Sequence, residues 1–215
     1  MFPLNTFSNL CIFFLLLMIY STAGWVGEMV YCSVGKGHIC EKRGFLNGFI
    51  CPIYGHGALL VLYVLHGGFK NPVLTFLGGM VLTTALEYFT SWFMEKLFHM
   101  RWWDYSGYFL NLNGRICAEG LLVFGLGGLA IVYVLAPILD NQVRRIPGKA
   151  LVPVSLALAA VFVGDLAYSS VHPNEGKGIT DYQKAETEEE GETEDAVLSC
   201  AHGRDHYRYL SGRLS

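Results

Sequence analysis

Charge is scarce in this chain: of 215 residues only 15% are Asp, Glu, Lys or Arg, while 53% are hydrophobic and 14% aromatic. With a mean hydropathy of +0.38, that composition excludes an ordinary soluble domain and makes the lipid bilayer the first expected partner. Other absences narrow the choice. The six cysteines contain no CxxC pair, so neither a zinc site nor a disulfide framework is signalled, and small buried residues are the better reading of most of them. No HExxH or ExxH element is present, and nothing fits GxxxxGK[ST], so the chain cannot bind ATP through a P-loop of its own. No segment alternates apolar and polar residues as a barrel strand does. No basic region precedes the first apolar run, so the small residues of "STAG" (Ser21 to Gly24) read as part of a membrane helix rather than a signal-peptide cleavage site.

What the chain does have is long apolar runs, each near the roughly 20 residues needed to cross a hydrocarbon core. They lie at about 9–31, 48–66, 72–97, 116–135 and 151–168. In lipid the backbone must satisfy its own N–H and C=O groups, so these runs are helices. The expected fold is all-α: a polytopic membrane protein of about five transmembrane helices over residues 1–172, then a polar, acidic and disordered tail over 173–215. Pro72 suits a first helical turn, and Pro52 kinks or delays the second helix.

Five spans put the loops of residues 32–47 and 98–115 on one side with the tail. That side carries Lys36, Lys42, Arg43, Lys96, Arg101 and Arg115, against Lys70, Arg144, Arg145 and Lys149 on the other. The positive-inside rule then places the first side and the C-terminus in the cytoplasm.

Two stretches repeat. "LNGFIC" (Leu46 to Cys51) and "LNGRIC" (Leu112 to Cys117) differ at one position, and a WxxE precedes each, at Trp25 to Glu28 and Trp92 to Glu95. An offset of about 66 residues reads as two duplicated helical hairpins, about 9–66 and 72–135, in parallel topology, with the fifth helix at 151–168 outside the repeat. The Asn-Gly steps, Asn113 among them, suit a turn or helix cap that leads the chain back into the bilayer.

Along the third helix Glu87, Ser91, Glu95 and His99 fall at successive i+4 positions and share one face. A carboxylate at depth is costly unless paired or hydrated, so this face looks into protein or a water-filled cavity. Glu28, Glu119 and Asp165 are its natural companions, with Arg43, Arg101 and Arg115 as partners and Asp104 bracing the loop. Three readings compete: a structural ion-pair network, a transport pathway or coupling surface, and a metal or catalytic site in which Glu95, His99, Glu28 and His56 gather. Trp102, Trp103 and Tyr105 read as an interfacial aromatic belt, and His56 as an interior hydrogen-bonded histidine. The glycines of Pro52 to Tyr63 and of "GLGG" (Gly125 to Gly128) read as close helix packing.

The motifs "GWVGEMVY" (Gly24 to Tyr31), "KRGFLNGFICPIYGHGA" (Lys42 to Ala58), "EYFTSWFMEKLFHMRWWDYS" (Glu87 to Ser106), "NLNGRICAEG" (Asn111 to Gly120) and "HPNEGKGITDY" (His172 to Tyr182) occur in that order. Across about residues 5–182 the chain resembles the CmpB-like family of ABC-transporter type IV permeases; Lys42 stands where the family pattern has asparagine. The resemblance implies a permease subunit served by a separate cytoplasmic ATPase. The combined expectation is a non-enzymatic, cofactor-free membrane subunit of a transporter, able to form a homodimer and with no nucleic-acid partner. The alternatives are a membrane scaffold or sensor that binds a protein, and an intramembrane metal-binding protein or enzyme.

Overall fold

A computed structural model of the chain describes residues 7–37, 39, 44–65, 71–174 and 180–181. Arg43 and the acidic run of the tail, expected to be disordered, lie outside these residues. The helices are α1 (Phe7–Lys36), α2 (Pro52–Leu65), α3 (Pro72–Phe98), α4 (Ala118–Ala130), α5 (Ala136–Arg144) and α6 (Gly148–Val171). Two short strands, β1 (Met100–Arg101) and β2 (Thr180–Asp181), pair antiparallel, with Met100 opposite Asp181 and Arg101 opposite Thr180.

Four helical stretches are long and apolar enough to cross a membrane: Phe7–Val34, Pro72–Phe98, Ala118–Arg144 and Gly148–Val171. The expected second span is shorter. α2 has 14 residues, about 21 Å of helix at 1.5 Å per residue, against a core of about 30 Å. Pro52 accounts for this, because it occupies the first helical position and leaves the apolar residues Gly48 to Cys51 as a loop. The fourth span is longer than its expected end at Leu135. Five residues, Ile131–Leu135, form a π-helical turn that joins α4 to α5. Pro137 lacks an N–H and crowds the preceding turn, and widening that turn lets the helix pass it. At the start of α3, Asn71 caps the helix by accepting Val73 N–H at 2.9 Å, and Pro72 follows at the first position.

The apolar core lies between α1, α2 and the α5–α6 corner, where Leu15, Leu16 and Met18 meet Ala58, Leu59, Val143 and Leu151. A smaller cluster of Val61, Leu65 and Val132 joins α2 to the π turn. α3 and α4 run antiparallel and nearly touch: a Cβ on Gly79 would stand 3.3 Å from Gly128 Cα, which is how small residues let helix backbones approach. Large apolar side chains such as Val81, Phe89, Leu126, Val161 and Val163 point outward and form the surface that a bilayer would cover.

The loops come together at one end. Asn174 N–H donates to Phe45 O at 3.3 Å, and β2 pairs with β1 beyond α3. The 44–51 loop, the 99–117 loop and the C-terminal end of α6 therefore form one polar layer.

Candidate functional site

That layer is organised by two Asn-Gly turns held in different ways. In the second, Asn113 and Gly114 both have positive φ, 53° and 65°. Arg115 N–H donates to Leu112 O at 3.0 Å, and Leu112 N–H to Ile116 O at 3.0 Å. Two successive left-handed residues closing such a pair make a type I′ turn, which favours Asn-Gly. Space imposes glycine as well, since a Cβ on Gly114 would stand 2.5 Å from Ser106 Oγ. In the first turn the last helix supplies the support. Asp165 accepts Gly48 N–H on both oxygens, at 3.0 and 2.9 Å, and Asn47 Nδ2 donates to Ser169 Oγ at 3.0 Å and His172 O at 2.8 Å.

The I′ turn delivers Arg115 into the bundle. Its Nη2 forms an ion pair with Glu95, its Nη1 donates to Ser91 Oγ at 3.1 Å, and its guanidinium stacks 5.8 Å from the centre of the Tyr88 ring. Arg101 reaches the same carboxylate by another route. His99 closes α3 in the left-handed conformation, φ 54°, with its N–H on Glu95 O at 2.9 Å, and the chain doubles back. Arg101 Nε then donates to Glu95 Oε2 at 3.2 Å, and Arg101 Nη1 donates to Asn113 O at 3.1 Å and lies 3.9 Å from Asp104. Asn113 Nδ2 donates to the Tyr88 hydroxyl at 2.9 Å, and Trp103 Nε1 to Arg115 O at 3.1 Å. Glu95, Arg101, Asp104, Asn113 and Arg115 thus belong to one network, in which charge-assisted bonds cross-link α3 to its own return loop.

Two turns deeper on α3, Glu87 is a separate centre. It is 6% exposed, and its Oε1 accepts the Tyr105 hydroxyl at 3.2 Å. On the neighbouring helices, Tyr54 donates to Glu28 Oε2 at 2.9 Å. Burial pushes the Tyr105 phenol well above its ordinary range, and the Glu87 and Glu28 carboxylates push it further, so burial and two nearby carboxylates together hold its proton.

The remaining candidates sit apart. Glu119, on the exposed side of α4, accepts the Tyr31 hydroxyl and ties α1 to α4. His56 is exposed, with Nδ1 2.7 Å from Pro52 O of its own helix, so it is not the interior histidine the glycines had indicated. Among the described residues no three His, Cys, Asp or Glu side chains converge as metal ligands. Trp102 does not belong to an interfacial belt: it is 3% exposed, packed edge-on against Phe45 and Phe98. Nothing in the sequence marks Tyr54, Tyr88 and Tyr105 as carboxylate or loop partners beyond the rule that a buried phenol needs a hydrogen-bond partner.

A family model described as "Putative ABC-transporter type IV" matches residues 15–170, which takes in the whole α1–α5 bundle beyond the first turns and nearly all of α6. No curated protein and no solved structure matched. The chain, with four helices long enough to span a bilayer and the family's match across 15–170, is a multi-pass membrane protein and belongs to that ABC-transporter type IV family.

Proposed function

We propose that this chain is the membrane-embedded permease subunit of a transporter and that its polar layer couples to a separate cytoplasmic ATPase. The observation that carries the reading is the Glu95–Arg101–Arg115 network: a half-buried set of charges at one end of a bundle whose family is named for transport. Intramembrane charges are expensive and mark substrate or ion routes. Glu95 shares two guanidinium groups, so small helix movements exchange its partners without stranding a charge in lipid. Family membership supports the external ATPase, since the sequence holds no P-loop and the chain is taken to have no catalysis of its own. The basic residues of the polar layer favour its cytoplasmic placement. The two hairpins, α1–α2 and α3–α4, are taken as copies of one unit on the strength of their matching motifs, and a homodimer as the working assembly, because so few spanning helices make a thin pathway.

A competing reading, a membrane scaffold or sensor, draws on the same network, whose charges are all paired as a fixed brace would have them. The test is purification in mild detergent followed by transport in a strain that depends on the protein. The permease reading expects a P-loop ATPase in stoichiometric association and loss of transport in Glu95→Gln and Arg115→Gln variants that still fold. Folded variants with unchanged uptake and export, and no ATPase bound, would hand the assignment to the scaffold.

A further inference from the structure

α3 buries a line of small and polar residues, Thr75, Gly79, Thr84, Glu87 and Ser91, and Glu95 continues it toward the loop layer. Steps of three and four residues keep Thr84, Glu87, Ser91 and Glu95 on one face of the helix, whereas the five-residue step from Gly79 sets Thr75 and Gly79 on another. Both ends are satisfied: Thr75 Oγ1 donates to Asn71 O at 3.2 Å and lies 3.2 Å from the Tyr133 hydroxyl of the π turn, while Ser91 Oγ accepts Arg115 Nη1. The middle is not. Thr84 Oγ1 and Glu87 Oε2 are buried and have no hydrogen-bond partner among the described residues. They stand three residues apart, hence side by side on the helix. Alanine at both positions would have avoided the cost of burying them, so two adjacent unsatisfied oxygens in a bilayer-spanning helix point to something they hold.

The surroundings say what charge it carries. Tyr105 from the loop donates to Glu87 and is also pressed by the Glu28 carboxylate of α1. Tyr54 of α2 is committed to Glu28, and Cys117 caps α4 close to Tyr105. The nearest guanidinium on this face, Arg115, is committed one turn away to Ser91 and Glu95. Among the described residues Glu87 therefore has a phenol and a second carboxylate for company and no cationic partner, which leaves positive charge to come from solution. The row of hydroxyls on either side of it is suited to conducting the smallest such charge.

We propose that Glu87 is an exchangeable proton site, reached along the polar face of α3 past Thr84. On loading, a proton adds to Glu87 Oε2, making one O–H bond. On unloading that bond breaks, the carboxylate returns and no other bond changes. Coupling of this proton to movement of a substrate rests on the permease reading; its presence does not.

The test is infrared difference spectroscopy of the full-length protein in lipid nanodiscs, titrated from neutral to alkaline pH. The carbonyl stretch of a protonated carboxylic acid is expected at neutral pH, shifting in heavy water, lost completely in Glu87→Gln and kept in Glu95→Gln. Thr84→Val, which keeps the side-chain shape, is expected to shift the band because a methyl replaces the hydroxyl beside the acid on the helix; it also serves if Glu87→Gln does not fold. Absence of the band, its survival in Glu87→Gln, or an unshifted band in Thr84→Val overturns the proposal. Loss of the band on adding sodium at constant pH overturns it in favour of an alkali-cation site. A normal band in liposomes that transport nothing leaves the proton site in place and removes the permease reading alone.

Discussion

The carboxylate of Asp165 receives the backbone N–H of Gly48 on both of its oxygens, at 3.0 and 2.9 Å, joining the last helix to the first Asn-Gly turn. Asn47 N–H adds a third bond to Oδ1 at 3.2 Å. Hydrogen bonds to a charged acceptor are worth about 1.5–3 kcal/mol, so Asp165→Ala should cost about 3 kcal/mol in unfolding free energy, and Asp165→Asn, which keeps one acceptor, about half. A Cβ at position 48 would stand 2.5 Å from Asp165 Oδ2, so Gly48→Ala should cost a similar amount by displacing the same carboxylate. The combined variant should then lose little more than either alone. Thermal unfolding in detergent measures all four proteins, and additive losses would show that the two residues act separately.

Glu95 and Arg115 make the second test. The Arg115 side chain is 10% exposed and that of Glu95 22%. Breaking a fully buried pair by removing one partner costs about 3–5 kcal/mol, because the other charge is stranded. Exposure at Glu95 reduces this, so Arg115→Gln and Glu95→Gln should each cost about 2–4 kcal/mol. Arg101 stays beside Glu95 when Arg115 is lost, which makes Arg115→Gln the milder change. The double variant should fall well short of the sum of the two. A denaturant titration of the cycle reads the coupling, and a coupling of zero would mean that the two charges do not meet in the membrane.

The long spans were legible because hydrophobic length alone specifies a bilayer-crossing helix, and α1, α3 and α6 begin and end within a few residues of expectation. Two ends differ. The fourth apolar run ends at Leu135 in the sequence, but a π turn carries the helix past Pro137 to Arg144, while the apolar run before Pro52 is loop, the delay that Pro52 implies. In the site, the i+4 spacing announced the acidic face of α3, and the partnership of Glu95 with Arg101 and Arg115 follows from charge. The Tyr105–Glu87 and Tyr54–Glu28 bonds were silent because tyrosine carries no charge to flag its acceptor. Nothing local in Asn47 or Asp165 tells that they meet, since that contact is made by helix packing across 118 residues.

The α3–α4 crossing yields a prediction with an internal control. A Cβ on Gly128 would lie 3.2 Å from Gly79 Cα, a backbone atom that cannot turn aside. Gly128→Val should therefore force the helices apart and cost about 1–3 kcal/mol, the range of an overpacked core. Gly127, its neighbour, has nothing within 4 Å of its missing Cβ, so Gly127→Ala should stabilise α4 by about 0.5–1 kcal/mol through helix propensity. Unfolding midpoints of opposite sign for adjacent glycines would locate the crossing. Destabilisation by both would mean that α4 is intolerant of side chains in general.

Tyr105 sets the response to alkali. Its phenol is held above its ordinary value near 10, first by burial and then by Glu87 and Glu28. In the unfolded chain the same phenol ionises at about pH 10, while in the folded protein it keeps its proton. Above that pH the folded state binds the extra proton and stability falls as pH rises. Below about pH 10 the contribution of Tyr105 is whole; beyond it, each unit should remove about 1.4 kcal/mol until the folded phenol itself ionises. Tyr105→Phe gives up the bond to Glu87 at neutral pH and carries no such dependence. The gap between the unfolding midpoints of the two proteins should therefore close above about pH 10. Groups that do not touch Tyr105 cancel in the difference; Glu87, which does, adds a pH dependence of its own, and the closing of the gap above about pH 10 is the signature of the phenol. A gap that persisted unchanged to high pH would mean that Tyr105 ionises as freely in the folded protein as in the unfolded chain, and that burial and the two carboxylates do not hold its proton.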